Sequence, residues 1–172
     1  MNIIYDNILI RAIETRDNEL LLNLINDQAI ENFVGGWSFP VSSVAQQKWF
    51  DNLKSDNTCM RCVICVNDVD TVGAISLSDI DWKNRTAQIH IKILSKYHNK
   101  GYSTKAVKAI TKYCFEQLGL NCIYSLILSY NSPSIKLFEK CGFVTEGILK
   151  SRIYKNGKFN DIISMSYIND KN

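Results

Sequence analysis

The chain has 172 residues, 46% apolar and 22% charged, which suits one folded domain over residues 1–172 able to bury roughly 68–70% of its unfolded surface and excludes a disordered or collagen-like chain. Its 20 Lys and Arg against 17 Asp and Glu give +3, with no block of five like charges, so neither nucleic acid nor an anionic membrane is an expected partner. The longest apolar run, 62–66, is far short of the roughly 20 residues of a membrane span, and the amino terminus shows no basic-then-apolar leader. Six cysteines without an export signal are expected as reduced thiols, in a cytoplasmic protein.

Residues 7–13 read as a first strand. Asp17 is then the expected N-cap of a helix from about Asn18, with Leu20, Leu21, Leu24 and Ile25 at helical spacing. A loop with Gly35, Gly36 and Pro40 precedes a second helix, marked by Ser43 and Gln46 at capping-box spacing and buried through Val44, Ala45, Trp49, Phe50 and Leu53. Three runs, 59–66, 71–78 and 86–93, joined by short turns, predict an antiparallel meander. Within the first, Cys59, Cys62 and Cys65 have a spacing seen among metal ligands. A strand alternates their faces, however, so they read as apolar filling and no metal is expected.

After Gly101 the pattern Ala106, Val107, Ile110, Tyr113, Cys114, Leu118 is that of an amphipathic helix, closed by Gly119. Residues 122–128 are apolar on both faces, as in a buried strand paired in parallel with 86–93. Ser132 and Pro133 open a short helix that Gly142 closes. The runs 148–154 and 159–167 flank Asn156-Gly157 as a hairpin. The fold class is mixed α/β (α+β), without linkers or repeats.

The segment 97–104 links a strand to a helix and lacks both GxxxxGK[ST] and GxGxxG. A helix amino terminus leaves its first N–H groups unpaired and carries partial positive charge, so a tight loop feeding it, with Gly101 allowing close approach, is suited to a pyrophosphate.

His98-Asn99-Lys100-Gly101-Tyr102-Ser103, followed by Asn131-Ser132-Pro133-Ser134 through Phe138-Glu139-Lys140-Cys141-Gly142-Phe143, resembles the acetyl-CoA loop and second motif of the GNAT N-acetyltransferases. His98 replaces that family's usual Gln or Arg, and Ser103 its closing Gly or Ala; neither removes a backbone N–H. The resemblance spans about residues 7–168. With 30–34 and 154–161 included, it is nearest to the branch of ribosomal-protein N-terminal (RimJ/RimL-type) and spermidine N-acetyltransferases.

The resemblance implies a GNAT fold with a splayed parallel strand pair and about four helices. It also implies acetyl transfer from acetyl-CoA to a primary amine, on a small molecule or a protein N-terminus, by direct attack on the thioester. Acetyl-CoA contacts are then expected from Ile91, Lys92 and Ile93 of the splayed strand, from His98, Asn99, Lys100, Gly101, Tyr102, Ser103 and Thr104 of the loop, and from Asn131 and Phe138. Asn131 has the alternative role of capping the helix that follows it.

Where many members carry a basic Glu, this chain has Gln88, which cannot take a proton and is expected to face the acceptor. His90, on the same face, and Glu31, in the acceptor region, are rival bases. Phe138 stands where relatives carry an acidic Tyr; Tyr130 and Ser134 are nearby donors, and a thiolate of pKa about 8.5 can leave without one. Glu31, Phe33 and Trp37 are expected to line the acceptor pocket. The rival reading is a catalytically silent acyl-CoA-binding module. The acceptor and the oligomeric state, a homodimer included, stay open.

Overall fold

The structure, a computed structural model, describes residues 2–36, 39–53, 57–67 and 69–169. Strands β1 (Ile3–Tyr5), β2 (Ile8–Ala12), β3 (Met60–Val66), β4 (Asp70–Asp81), β5 (Thr86–Ile93), β6 (Cys122–Leu128), β7 (Val144–Lys155) and β8 (Lys158–Ile168) form one sheet. Its order is β1-β2-β3-β4-β5-β6-β8-β7. Every neighbouring pair is antiparallel except β5 and β6. The helices are α1 (Asn18–Asn26), α2 (Gln28–Glu31), α3 (Ser43–Asp51), α4 (Tyr102–Glu116) and α5 (Ser132–Lys140).

The meander, the parallel pair and the terminal hairpin follow the sequence pattern. Both turn residues of that hairpin, Asn156 (φ 53°) and Gly157 (φ 76°), take the left-handed conformation of a type I′ turn. The first strand is instead a hairpin, β1 and β2 reversing at Asp6 (φ 55°). The four-residue helix α2 was not anticipated. It exists because Asp27 Oδ1 accepts from the N–H groups of Ala29 (2.8 Å) and Ile30 (3.4 Å).

Three expectations are corrected. Asp17 does not cap α1 with its side chain. It is buried and takes a two-pronged ion pair from Arg11 (2.7 and 2.8 Å), while also accepting the Glu14 N–H. The α3 cap is Ser42, whose Oγ accepts from Ala45 N–H at 3.1 Å. The face expected to be buried on α3 is largely open: Val44 and Trp49 are exposed and Gln46 is buried. This helix leans on α1 through polar contacts such as Asn18 Nδ2 to Gln47 Oε1 (2.7 Å), so only a narrow stripe is covered.

Side chains alternate across β4 and β5. Ile75, Leu77, Ala87 and Ile89 enter one core with Ala106, Val107, Ile110 and Cys114 of α4. Ser76, Ser78, Gln88 and His90 lie on the other face, and their strands pair Ser76 with His90 and Ser78 with Gln88. Among the described residues no helix is long and apolar enough to cross a membrane. No disulfide joins any of the six cysteines, all of which are among the described residues.

Candidate functional site

The parallel ladder between β5 and β6 is only three residues long, ending at Gln88 and Tyr124. One step further, buried Ser125 donates its hydroxyl across the gap to the Ile89 carbonyl (3.3 Å). Beyond that the strands diverge, and backbone groups on the open edge of β5 are released from the ladder. Ile91 and Lys92 sit on this freed stretch and, with Leu126, Ile127 and Leu128 across the gap, line a cavity of about 420 Å³. Its far wall comes from α1, α2 and the loop through Gly36, and its floor includes Phe138.

At the end of β5, a 3-10 turn Ser95–Tyr97 leads to Gly101, the N-cap of α4, at φ 79°. No side chain caps this helix, and its first intrahelical bond runs from Lys105 N–H to the Gly101 carbonyl (3.2 Å). The amides of Tyr102, Ser103 and Thr104 therefore precede the helical ladder and are free for an anion. A Cβ on Gly101 would meet no atom within 4 Å, so the loop is open where a ligand would approach. Lys100 brings a cation, its Nζ 5.2 Å from the Tyr97 ring. His98 is exposed and folds back on the strand end, its Nε2 donating to the Ile93 carbonyl at 2.8 Å. A splayed strand pair next to an uncapped helix start fits an extended thiol carrier with a pyrophosphate at one end.

The wall of the cavity facing β5 is built by long-range contacts. Glu31 of α2 is paired with Lys155 at the end of β7, a lysine buried to 8% exposure that also donates to the Val34 carbonyl (2.9 Å). Tyr130 donates its hydroxyl to the Asn32 carbonyl (2.8 Å). Asn131 does two things: Oδ1 caps α5 by accepting Ser134 N–H (3.2 Å), and Nδ2 donates to the Phe33 carbonyl (3.2 Å). Asn131 thus takes the capping role given as its alternative, one residue ahead of the Ser132-Pro133 start. Gly142 closes it at φ 91°.

The cavity brings together Glu31, Phe33, Gln88, His90, Lys92, Asn131, Ser134 and Phe138. Tyr130 is spent on tethering, and its ring lies 6.2 Å from that of Phe33. Trp37 lies outside the described residues. Lys155, which sequence reading did not single out, fixes Glu31 from 124 positions away; its place beside the Asn156-Gly157 turn was its only local signal.

His90 Nε2 lies 2.9 Å from Ser78 Oγ, which lies 2.9 Å from Asp79 Oδ2. The imidazole has an open edge on the cavity, yet the surrounding walls strip away enough water to hold its pKa below the usual histidine value; Lys92 acts in the same direction and Asp79 opposes it. Desolvation likewise lowers the pKa of Lys92.

Removing the Tyr130 hydroxyl costs about one hydrogen bond, on the order of 1 kcal/mol. Tyr130→Phe is therefore expected to raise the acceptor KM about fivefold, with acetyl-CoA affinity unchanged. Steady-state kinetics beside calorimetric titration checks this, and a loss confined to acetyl-CoA affinity would contradict the tethering role.

A model of the acetyltransferase (GNAT) domain matches residues 7–144. A prophage-derived N-acetyltransferase of Bacillus subtilis, YokL, is 28% identical over 91% of this chain and 86% of its own. The spermidine N(1)-acetyltransferase of Vibrio cholerae is 27% identical over 94% and 93%. A crystal structure of spermidine N-acetyltransferase from Vibrio cholerae, in complex with CoA and spermine, superposes with a TM-score of 0.89 at 26% identity, covering 96% of this chain and 97% of that one. Together with the splayed β5–β6 pair and the uncapped start of α4, these likenesses show that the chain belongs to the GNAT acetyltransferases and is an acetyl-CoA-dependent N-acetyltransferase.

Proposed function

We propose that the amine enters from the wall formed by Glu31 and Phe33 and that His90 takes its proton, with acetyl-CoA held by the β5 edge and the loop 98–104. The observation that carries this reading is the pairing of Glu31 with buried Lys155. It commits one rival base to fixing the loop, while the other, His90, opens on the cavity, and desolvation there lowers its pKa. The acetyl donor supplies the activated carbonyl. The chain's part is to hold that carbonyl against freed β5 amides and to bring the amine nitrogen to it from the His90 side. Buried Phe138, packed 4.9 Å from the Phe143 ring, offers no proton to the departing sulfur, so the thiolate leaves without a tyrosine.

Charge in the cavity bears on the acceptor. Glu31 is neutralised by Lys155, and Lys92 has no ion-pair partner among the described residues. The wall thus favours an acceptor whose second group is neutral or anionic, such as an α-amino acid or a peptide N-terminus, over a polycation. A screen of spermidine, L-amino acids and an unblocked hexapeptide, read by released thiol, tests this. Preferred turnover of the α-amines supports the reading, and preferred turnover of spermidine overturns the charge argument. In the same assay Glu31→Gln is expected to raise the acceptor KM roughly tenfold, about one charge-assisted hydrogen bond, and leave acetyl-CoA affinity alone. An equal loss of both would make Glu31 structural only.

The reading also predicts a kcat/KM that rises with pH to a plateau. No alkaline limb from a tyrosine near pH 10 is expected.

A further inference from the structure

We propose that Ser78 and Asp79 are positioning residues that fix the tautomer of His90, making Nδ1 the ring nitrogen that accepts the amine proton. The inference rests on the reading of His90 as the base. Its evidence is the chain of contacts Asp79 Oδ2 to Ser78 Oγ (2.9 Å) to His90 Nε2 (2.9 Å).

The logic is one of proton inventory. A carboxylate has no proton to give, so Ser78 is the donor in its contact with Asp79. A serine hydroxyl holds a single proton, and with that proton on the carboxylate the oxygen is left to accept. His90 Nε2 therefore carries the hydrogen and donates it to Ser78 Oγ. In a neutral imidazole with Nε2–H, the lone pair is on Nδ1, which has no hydrogen-bond partner among the described residues.

The backbone shows how the arrangement is built. Ser78 pairs with Gln88 across the β4–β5 ladder, so its side chain is the diagonal neighbour of His90 on the same face. The ladder then slips between Ser78 and Asp81, and Asp79 takes φ 51°. In a regular strand Asp79 would point to the face opposite Ser78. The bulge re-aims it so that its carboxylate reaches the Ser78 hydroxyl. A left-handed aspartate near the end of β4 is a strained local choice, here placed beside the one histidine that opens on the cavity.

During transfer the amine nitrogen bonds to the acetyl carbon, the carbon–sulfur bond breaks with its electron pair leaving on sulfur, and the amine proton goes to His90 Nδ1. The imidazolium so formed keeps its Nε2–H on Ser78, whose own proton stays on Asp79. The carboxylate thus stabilises the charged ring through the hydroxyl. The other titratable groups around the ring are Lys92 on β5, which opposes the charged form, Tyr124 on β6, whose phenol also senses Asp79, and Glu31 with Lys155 across the cavity. The side chains contributed by α1 to the cavity, Leu24 and Ile25, are apolar.

The test uses the chain's two histidines. Nitrogen-15 shifts of the imidazoles are recorded at neutral pH for the unaltered protein and for Ser78→Ala, Ser78→Thr and Asp79→Asn. His98, whose Nε2 faces a carbonyl that can only accept, serves as an internal Nε2–H standard. The pH profile of kcat/KM is measured on the same proteins and on His90→Ala, with whichever of spermidine, the L-amino acids or the hexapeptide turns over fastest. His90 is expected to match the His98 pattern, and Ser78→Ala to lose that match and about tenfold of the plateau rate. Ser78→Thr, which keeps the hydroxyl, should restore both. Asp79→Asn should move the rising limb to lower pH, because a negative charge that favoured imidazolium is gone.

If His90 stays Nε2–H in Ser78→Ala and the profile does not move, the relay is wrong while His90 can still be the base. If His90→Ala keeps both limb and rate, the base reading is wrong, and the relay's catalytic role falls with it.

Discussion

Gly101→Glu is expected to raise the Kd for acetyl-CoA at least tenfold, the largest binding effect of any single change at this site. Gly101 has φ 79°, a conformation that costs an ordinary residue roughly 1 kcal/mol. Its position is otherwise open, with no atom within 4 Å of an added Cβ, so the protein itself tolerates the extra bulk. The carboxylate would sit at the amide cluster that starts α4, where a helix favours negative charge. It would therefore satisfy the helix and repel the pyrophosphate at the same time. Gly101→Ala separates the two contributions, keeping the backbone strain without the charge, and should weaken binding by only a few fold. Calorimetric titration against a folded circular-dichroism control decides the matter. Equal affinities for the Glu variant and the unaltered protein would exclude the loop as the pyrophosphate site.

Asp17→Asn is expected to cost about 3 kcal/mol of stability, because it breaks an ion pair whose carboxylate is buried and leaves the half-buried Arg11, 12% exposed, without its partner charge. For a chain of this size that lowers Tm by roughly 6–12 °C. Burial alone would raise the Asp17 pKa, but hydrogen bonds from Arg11 and the Glu14 amide, with the Arg11 charge, hold it below 3.8 in the folded state. A folded pKa below the unfolded one means that the stabilisation is complete above the unfolded value, about 3.9. It disappears as pH falls through the folded value. The unaltered protein should thus lose stability on acidification below about pH 4, and Asp17→Asn should lack that component. Thermal melts of both proteins from pH 7 to pH 3 check the sign. Parallel curves would remove Asp17 as a source of acid lability.

What was legible in the sequence is what local chemistry decides. The α4 stripe, the double-sided apolar strand β6, and the Asn156-Gly157 turn each depend on spacings within one element, so the pattern and the outcome agree. Hairpin β1–β2 escaped because three residues are too few for periodicity and Asp6 adopts positive φ without a glycine to announce it. The face of α3 was misjudged because apolar spacing says which residues could be buried, not whether a neighbour arrives to cover them. Asp17 has the chemistry of a cap, and only the fold brings Arg11 close enough to claim it. In the site, the loop 98–104 and His90 are legible as a strand–turn–helix joint and a same-face pair. The splay came only through the family resemblance, and the Glu31–Lys155 pair joins a short helix to a strand far along the chain, which no window of sequence contains.

The tethers on the segment after α2 grip three successive backbone carbonyls, those of Asn32, Phe33 and Val34, through Tyr130, Asn131 and Lys155. Every amino acid has that carbonyl. The loop is therefore moored by atoms that mutation cannot remove, and the side chains at 32–34 are relieved of anchoring. Substitutions at Phe33 and Val34, which line the cavity, can therefore reshape it while the path of the chain stays put.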